Sequence, residues 1–289
     1  MNYLQCIGAP FDPINHYSSN SNTKPKTFSW TVTDQPNKVF IDNHILLNHK
    51  KKEGERKYGW ACESRTIIYN VYNILQKHHE EIFDQLGYDC IFVSDKSLLP
   101  LNPKFKYCLA GSNMPWTPQQ EWNIHPKTKL VSMIASNKGG KPDDNSGHRF
   151  RHAVAQKYMD RLDLYGGAWG SKPIGKSPNL TAKWHSKEEG LRDYMFSIVT
   201  ENDQYETYYT EKLTDCFANG TVPIYWGPPS ISDTFNKDGI IVYDDTFDIN
   251  MLTAELYQSK LQVIEDNFNR LHSLEGADDM LYRLIKESQ

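Results

Sequence analysis

Five residues near the middle of the 289-residue chain have the types and spacing to hold an anion: Glu201, Asn202, Tyr208, Glu211 and Lys212. They lie between an apolar run at 195–199 and a segment from Thr210 whose Leu213, Phe217 and Ala218 recur at helical spacing. Thr210 suits a helix N-cap, and Asn219-Gly220 is a strong stop. A second apolar run, Val222 to Trp226, then closes on Gly227-Pro228-Pro229. Strand, polar loop, helix, glycine turn and strand make a βαβ unit, whose ligands sit beyond the carboxyl ends of its strands. Unpaired amides at the helix start, with Lys212 beside them, suit a diphosphate. Taken alone, Glu211 is equally a first-turn acid favouring the helix dipole.

The elements that must position these residues alternate cleanly in the second half. Strands are expected at 130–135, 162–165, 195–199, 222–226 and 240–242, and helices at 148–160, 186–192, 251–273 and 277–286. Polar, Gly-rich loops fill 136–147 and 166–177. Such alternation predicts a parallel sheet covered on both faces. The first half is less regular. Residues 1–30, rich in Asn, Ser, Pro and Lys, are expected to wrap loosely after a strand at 3–7. A strand follows at 39–47, then a solvated mixed-charge loop at 50–57. A long helix at 65–86, with Ser64 as its cap and Gly87 as its stop, leads to strands at 90–93 and 105–109. The Pro- and Trp-rich stretch 111–126 reads as an ordered linker, which divides the chain into domains at 1–125 and 126–289. The terminal helices are free to pack back on the first domain.

Bulk properties exclude several classes. A net charge of −4 and a pI near 6.2 argue against a dedicated nucleic-acid binder or a polybasic membrane anchor. A hydrophobic content of 38% is ample for a core, so the chain is not disordered. Its five cysteines are scattered without a CxxC pair, which indicates neither a disulfide framework nor a zinc site. They read as reduced thiols of a cytosolic protein. Neither a signal peptide nor a membrane-length apolar stretch occurs in the sequence. Asn179-Leu-Thr and Asn219-Gly-Thr match the glycosylation sequon, and both are discounted.

The central stretch resembles the donor-binding signature of glycosyltransferase family 10, the α1,3-fucosyltransferases. Glu201-Asn202, the Tyr-Tyr-Thr-Glu-Lys run at 208–212, and Val-Pro-Ile-Tyr-Trp-Gly-Pro-Pro at 222–229 carry the likeness. Phe235-Asn236, ahead of a strand at 239–243, continues it. The likeness is good over 129–245 and loose over the first half, and it points to the soluble bacterial or viral type. It implies an α/β, GT-B-like fold of two Rossmann-like domains facing each other across a cleft. It also implies inverting transfer of L-fucose from GDP-fucose to a glycan hydroxyl, in α1,3 linkage by family expectation. Two alternatives stay open: another nucleotide sugar on the same fold, and a non-catalytic glycan- or nucleotide-binding relative.

Transfer from a nucleoside diphosphate sugar needs positive charge on the leaving group and a base for the nucleophile. No Asp-x-Asp motif occurs, so Arg, Lys and helix amides are left to neutralise the diphosphate. No metal site or cofactor is called for, and a divalent ion (Mn or Mg) is allowed only as a stimulant of product release. The resemblance assigns the diphosphate to Lys212 and to an Arg opening the helix after a Ser-Asn strand end, here Ser136-Asn137. Ungapped counting favours Arg151, with Arg149 as the alternative; either is otherwise a surface Arg paired to Asp143 or Asp144. By the same resemblance Glu211 accepts from the ribose hydroxyls, Tyr208 lines the nucleotide pocket, and Glu201 and Asn202 the sugar side. Tyr225 and Trp226 are assigned to the core, with Gly227 opening space for the donor. Glu63 is the candidate base from the first domain, equally readable as a helix-capping residue, and Asp95 is the second choice. His78 and His79 are expected at the surface.

Overall fold

Short strands buried on both faces build a parallel sheet in each half of the chain. The computed structural model describes residues 2–8, 23–136, 147–166 and 187–289. Asn137, Asp143, Asp144, Asn179 and the loop expected at 166–177 beyond Gly166 lie outside the described residues. Two compact units are present: Met1–Asn113 with Tyr205–Tyr208 and Glu275–Gln289, and Met114–Gln204 with Tyr209–Leu274.

The first unit holds strands β1 (Tyr3–Ile7), β2 (Ser29–Thr31), β3 (Asn37–Ile41), β4 (Arg56–Ala61), β5 (Cys90–Val93) and β6 (Phe105–Tyr107). They form one parallel sheet in the order β2-β1-β3-β4-β5-β6. Successive side chains of a strand point to opposite faces. Val39, Ile41, Tyr58, Trp60, Cys90 and Phe92 therefore share one core with Trp30 and with Leu281 and Ile285 of the C-terminal helix. Phe40, Ala61, Ile91 and Val93 face the opposite core, against Val71, Tyr72, Leu75 and Phe83 of helix α1 (Tyr69–Leu86). The C-terminal helix is pinned by the Trp30 indole, which donates to Asp278 at 2.7 Å.

Boundaries in this unit differ from those read in the sequence. The strand expected at 39–47 stops at Ile41 and becomes a 3-10 helix over Asp42–Leu46. Asp42 takes a left-handed φ of 50° there, and its carboxylate accepts from the amides of Cys62 and Glu63 just after β4. Helix α1 begins at Tyr69, since Ile68 is non-helical at φ −111° and ψ 47°; before it the Ser64 carbonyl accepts from Ile67 and Ile68 in a turn. The segment 1–30 is not wholly loose: Ser29–Thr31 adds a strand around the fully buried Trp30.

The second unit orders its strands β11-β10-β9-β7-β8, all parallel. These are β7 (Lys129–Ile134), β8 (Asp163–Tyr165), β9 (Tyr194–Thr200), β10 (Val222–Trp226) and β11 (Ile241–Val242). Helix α2 (Gly147–Tyr158) links β7 to β8, and α3 (Glu211–Ala218) links β9 to β10. Val154 and Ala155 of α2 pack on Val131, Met133, Phe196, Ile198 and Ile224, as a 3.6-residue period requires. The helix read at 251–273 is two, α4 (Ala254–Ser259) and α5 (Leu261–Ser273), broken at Lys260. The C-terminal helix, α6, runs Ala277–Glu287. None of the described helices is long and apolar enough to cross a membrane.

Candidate functional site

The first turn of α3 gathers charge because a helix start is electropositive and Thr210 caps it in extended conformation. The Thr210 hydroxyl donates to Glu201 Oε2 at 2.8 Å and accepts from Lys212 Nζ at 3.0 Å. The Thr210 amide donates to the other Glu201 oxygen at 3.0 Å. Glu201, at the end of β9, is thus a fully buried clamp on the entry to α3. Burial pushes its carboxyl above the usual range, against the pull of Lys212, whose ammonium lies 3.7 Å away.

Glu211 behaves in the opposite way. Burial alone would raise it, but Lys187 and Lys212 outweigh that and hold it at about 2. Lys187 Nζ lies 2.8 Å from Glu211 Oε1, and Lys212 Nζ lies 3.4 Å from the same oxygen. Lys187 also pairs at 2.8 Å with Asp215, one turn further along α3. Asp215 in turn accepts from the Thr117 amide at 2.8 Å and hydroxyl at 3.2 Å. The Trp116 ring completes the seat, with the Lys187 ammonium 4.8 Å from its centroid. Lys212 keeps 23% of its side chain exposed, against 14% for Lys187.

Beside this cluster stands Arg151, buried on α2. It donates to the Thr200 hydroxyl at 3.0 Å, to the Thr200 carbonyl at 3.2 Å and to Asn202 Oδ1 at 3.0 Å. Its partners are therefore the end of β9 and the residue after Glu201. Arg149, two positions earlier, is exposed. Gly147 is what lets α2 start here, since a Cβ would meet the Glu201 carbonyl oxygen at 1.9 Å. Trp226 stacks on Phe150 with centroids 4.4 Å apart, and the Tyr225 hydroxyl reaches Glu201 at 3.4 Å. The room expected beside Gly227 is filled: a Cβ there would meet the Tyr225 ring at 2.3 Å, so the glycine accommodates its neighbour.

Glu201, Asn202, Glu211, Lys212 and Arg151 thus converge in the second unit. Tyr208 does not join them: it is 1% exposed, its ring is 5.0 Å from that of Tyr205, and both belong with the first unit. There the Tyr205 hydroxyl bonds Ser94 at 2.7 Å.

Glu63 is half-buried just after β4. Its amide and that of Cys62 donate to Asp42 Oδ1 at 3.1 and 2.9 Å, and the Cys62 thiol donates to Oδ2 at 3.3 Å. Burial, then the Glu63 charge, push the Asp42 carboxyl up to about 6. Asp95, the second-choice base, is tied to Arg65 at 2.6 Å and caps its own 3-10 helix through Ser97. His78 is exposed beside Glu81, whereas His79 is half-buried with its ring 6.1 Å from Phe105. Asn219 is fully buried and donates to Thr117 and Asp215, so its sequon is not open to modification. Among the described residues, no three His, Cys, Asp or Glu side chains converge as a metal site.

Two participants carry no local signal. Lys187 meets acids 24 and 28 residues further on, and Asp42 meets an amide 21 residues away. The one available clue to Lys187 is the helical i, i+4 spacing of Glu211 and Asp215, two acids on one buried face in want of a cation.

Known proteins bear on this arrangement. Residues 124–272 match the family model described as glycosyltransferase family 10 (fucosyltransferase) C-terminal. The chain is 40% identical over 92 residues to a Helicobacter pylori alpha-(1,3)-fucosyltransferase FucT, covering 32% of this chain and 19% of that one. It is 25% identical over 231 residues to a Bos taurus GDP-fucose protein O-fucosyltransferase 3, covering 70% of this chain and 46% of that one. The matched stretches thus span from a fifth to under half of these curated relatives. A solved α1,3-fucosyltransferase with GDP-fucose superposes with a TM-score of 0.50 at 15% identity, covering all of this chain and 90% of that one. The fold is accordingly of the GT-B type, two parallel-sheet α/β units.

Proposed function

The chain belongs to glycosyltransferase family 10, the fucosyltransferases, and from that premise we propose that it moves L-fucose from GDP-fucose to a glycan hydroxyl, with inversion and in α1,3 linkage. The observation that carries this is the start of α3, where a capped helix N-terminus, a partly exposed Lys212 and an ionised Glu211 stand side by side. The Lys212 ammonium and the first-turn amides stabilise the departing diphosphate. Glu211, kept charged by its lysines, accepts from the ribose hydroxyls. Arg151 acts on the same diphosphate, its planar fork suited to paired phosphate oxygens and oriented by Thr200 and Asn202. Glu63 takes the proton of the acceptor hydroxyl as that oxygen attacks the anomeric carbon and the sugar–phosphate bond breaks. The scheme uses no metal, and a divalent ion acts only on product release. The five thiols are free and buried, which fits a reducing compartment such as the cytosol.

Calorimetric titration with GDP, GDP-fucose, GDP-mannose and UDP-sugars tests the donor, for wild type and Lys212→Ala. The expected result is preference for GDP-fucose, with GDP affinity lowered at least about tenfold in Lys212→Ala, the loss of a charge-assisted contact. Preference for UDP-sugars overturns the substrate, and no nucleotide binding overturns the enzyme. A second reading keeps the donor and replaces the glycan by a protein hydroxyl. It is favoured by the longer match to the Bos taurus relative, which covers 70% of this chain. Fucose transfer to oligosaccharides against folded protein acceptors decides between them.

A further inference from the structure

Lys187 touches the same Glu211 oxygen as Lys212 but differs in its seat. Its ammonium is gripped by Glu211 and Asp215, both at 2.8 Å, and faces the Trp116 ring at 4.8 Å. Asp215 is itself fixed by two bonds from Thr117. Lys187 is thus built into the second unit, with only 14% of its side chain exposed, while Lys212 is the more open of the two. Three buried carboxylates, Glu201, Glu211 and Asp215, face these two ammoniums. Without Lys187, Lys212 would be left as the ammonium nearest all three, already 3.4 Å from Glu211 and 3.7 Å from Glu201. Coulomb attraction in a poorly hydrated site would then draw it inward, away from any ligand phosphate.

We infer that Lys187 is a positioning residue for donor recognition: it fixes the Glu211 carboxylate for the ribose diol and spares Lys212 for the diphosphate. The inference rests on the reading of Glu211 as the ribose acceptor, and it assigns Lys187 no contact with the donor. A bidentate acceptor loses its aim when the cation holding it is removed, because the buried carboxylate turns to the next donor available. The ratio of affinities for GDP and 2′,3′-dideoxy-GDP reports this aim directly, and a general loss of stability does not move it.

The experiment titrates both nucleotides into wild type, Lys187→Met, Lys187→Arg and Glu211→Gln by calorimetry, with circular dichroism to establish folding. Wild type should favour GDP by about tenfold or more, the scale of hydrogen bonds to a charged group. Lys187→Met should bring the ratio to within about twofold of unity and also weaken dideoxy-GDP, since Lys212 is drawn inward. Lys187→Arg should restore most of the ratio. If Lys187→Met does not fold, the charge-balanced Lys187→Met/Asp215→Asn pair takes its place with the same expectation. A folded variant of either kind that keeps the wild-type ratio overturns the inference, provided Glu211→Gln loses it. A Glu211→Gln that keeps the ratio instead overturns the ribose assignment itself, and with it the role given to Lys187.

Discussion

Two buried carboxylates, Asp42 in the first unit and Glu211 in the second, shift in opposite directions. Asp42 rises to about 6, driven by desolvation and then by the neighbouring Glu63 charge. Glu211 is also desolvated, yet two lysines overcome that and hold it at about 2. The difference lies in their company. An acid pair that shares a site repels itself and keeps a proton into the range where general bases work. An acid locked between ammoniums stays charged throughout that range and serves as a fixed acceptor. On the proposed reading the same residue type handles a proton in one unit and binds ligand in the other, and each assignment can be broken separately.

The sharpest separation is expected at Glu63. Glu63→Gln should lower kcat by roughly 10²–10⁴, the usual worth of a general base, while GDP affinity by calorimetry stays close to wild type. Loss of GDP binding in parallel with kcat would erase the distinction between the two groups. Next comes Asp215→Ala, which removes one of the two acids that hold Lys187. Breaking a buried pair on one side costs about 3–5 kcal/mol, read from urea unfolding followed by fluorescence. A change below about 1 kcal/mol would mean that this cluster is not held by charge.

Asp42 gives the third test, through pH. Its carboxyl keeps its proton up to about 6 in the folded chain, against an ordinary value of 3.8. Its contribution to stability is therefore fully present below 3.8 and is lost as the pH rises to about 6. The span corresponds to about 3 kcal/mol at most. Glu211 has the opposite sign, its contribution being present above 4.5 and lost as the pH falls towards 2. The groups facing Asp42 are the Cys62 thiol and Glu63 after β4, and the charge of Asp278 on α6 acts on the same thiol. Asp42→Asn keeps an oxygen for the two amides and removes the titration. The difference in unfolding free energy between wild type and Asp42→Asn should slope between pH 4 and 6 and level off above it. A flat difference would show that Asp42 ionises normally.

Much of the second unit was legible because its signals are local. Thr210 before Glu211-Lys212, and Asn219-Gly220 after Ala218, mark both ends of α3 within ten residues. The exchange of continuous apolar runs for a helical period marks β9 and β10 around it. The charge balance of the site was not legible. Lys187 is unremarkable in sequence and acquires its role only when the fold returns it to Glu211 and Asp215. The first unit shows the same limit in its boundaries. Apolar residues resume at Ile45 to Leu47 after Asp42-Asn43-His44, so the stretch reads as one interrupted run although the strand ends at Ile41. The break is imposed by Asp42 turning its carboxylate to Cys62 and Glu63. Ser64 is a reasonable cap by type, yet the helix begins only at Tyr69, because Ile68 leaves the helical region at φ −111° and ψ 47°.

The smallest expected effect lies at Thr210, and it asks whether Glu201 and Glu211 act as one site. Thr210 is the sole residue whose hydroxyl both donates to Glu201 and accepts from Lys212 among the described residues. Thr210→Val keeps the shape and removes both bonds. Loss of the cap costs about 1 kcal/mol, which for a chain of this size lowers Tm by roughly 2–4 °C. If the hydroxyl only caps the helix, GDP affinity should follow stability and barely move. If it also orients Lys212, GDP affinity should fall several-fold more than that of Thr210→Ser, which retains the oxygen. Equal affinities for the Val and Ser variants would leave Glu201 a structural clamp, and would confine the binding role to Glu211 and its lysines.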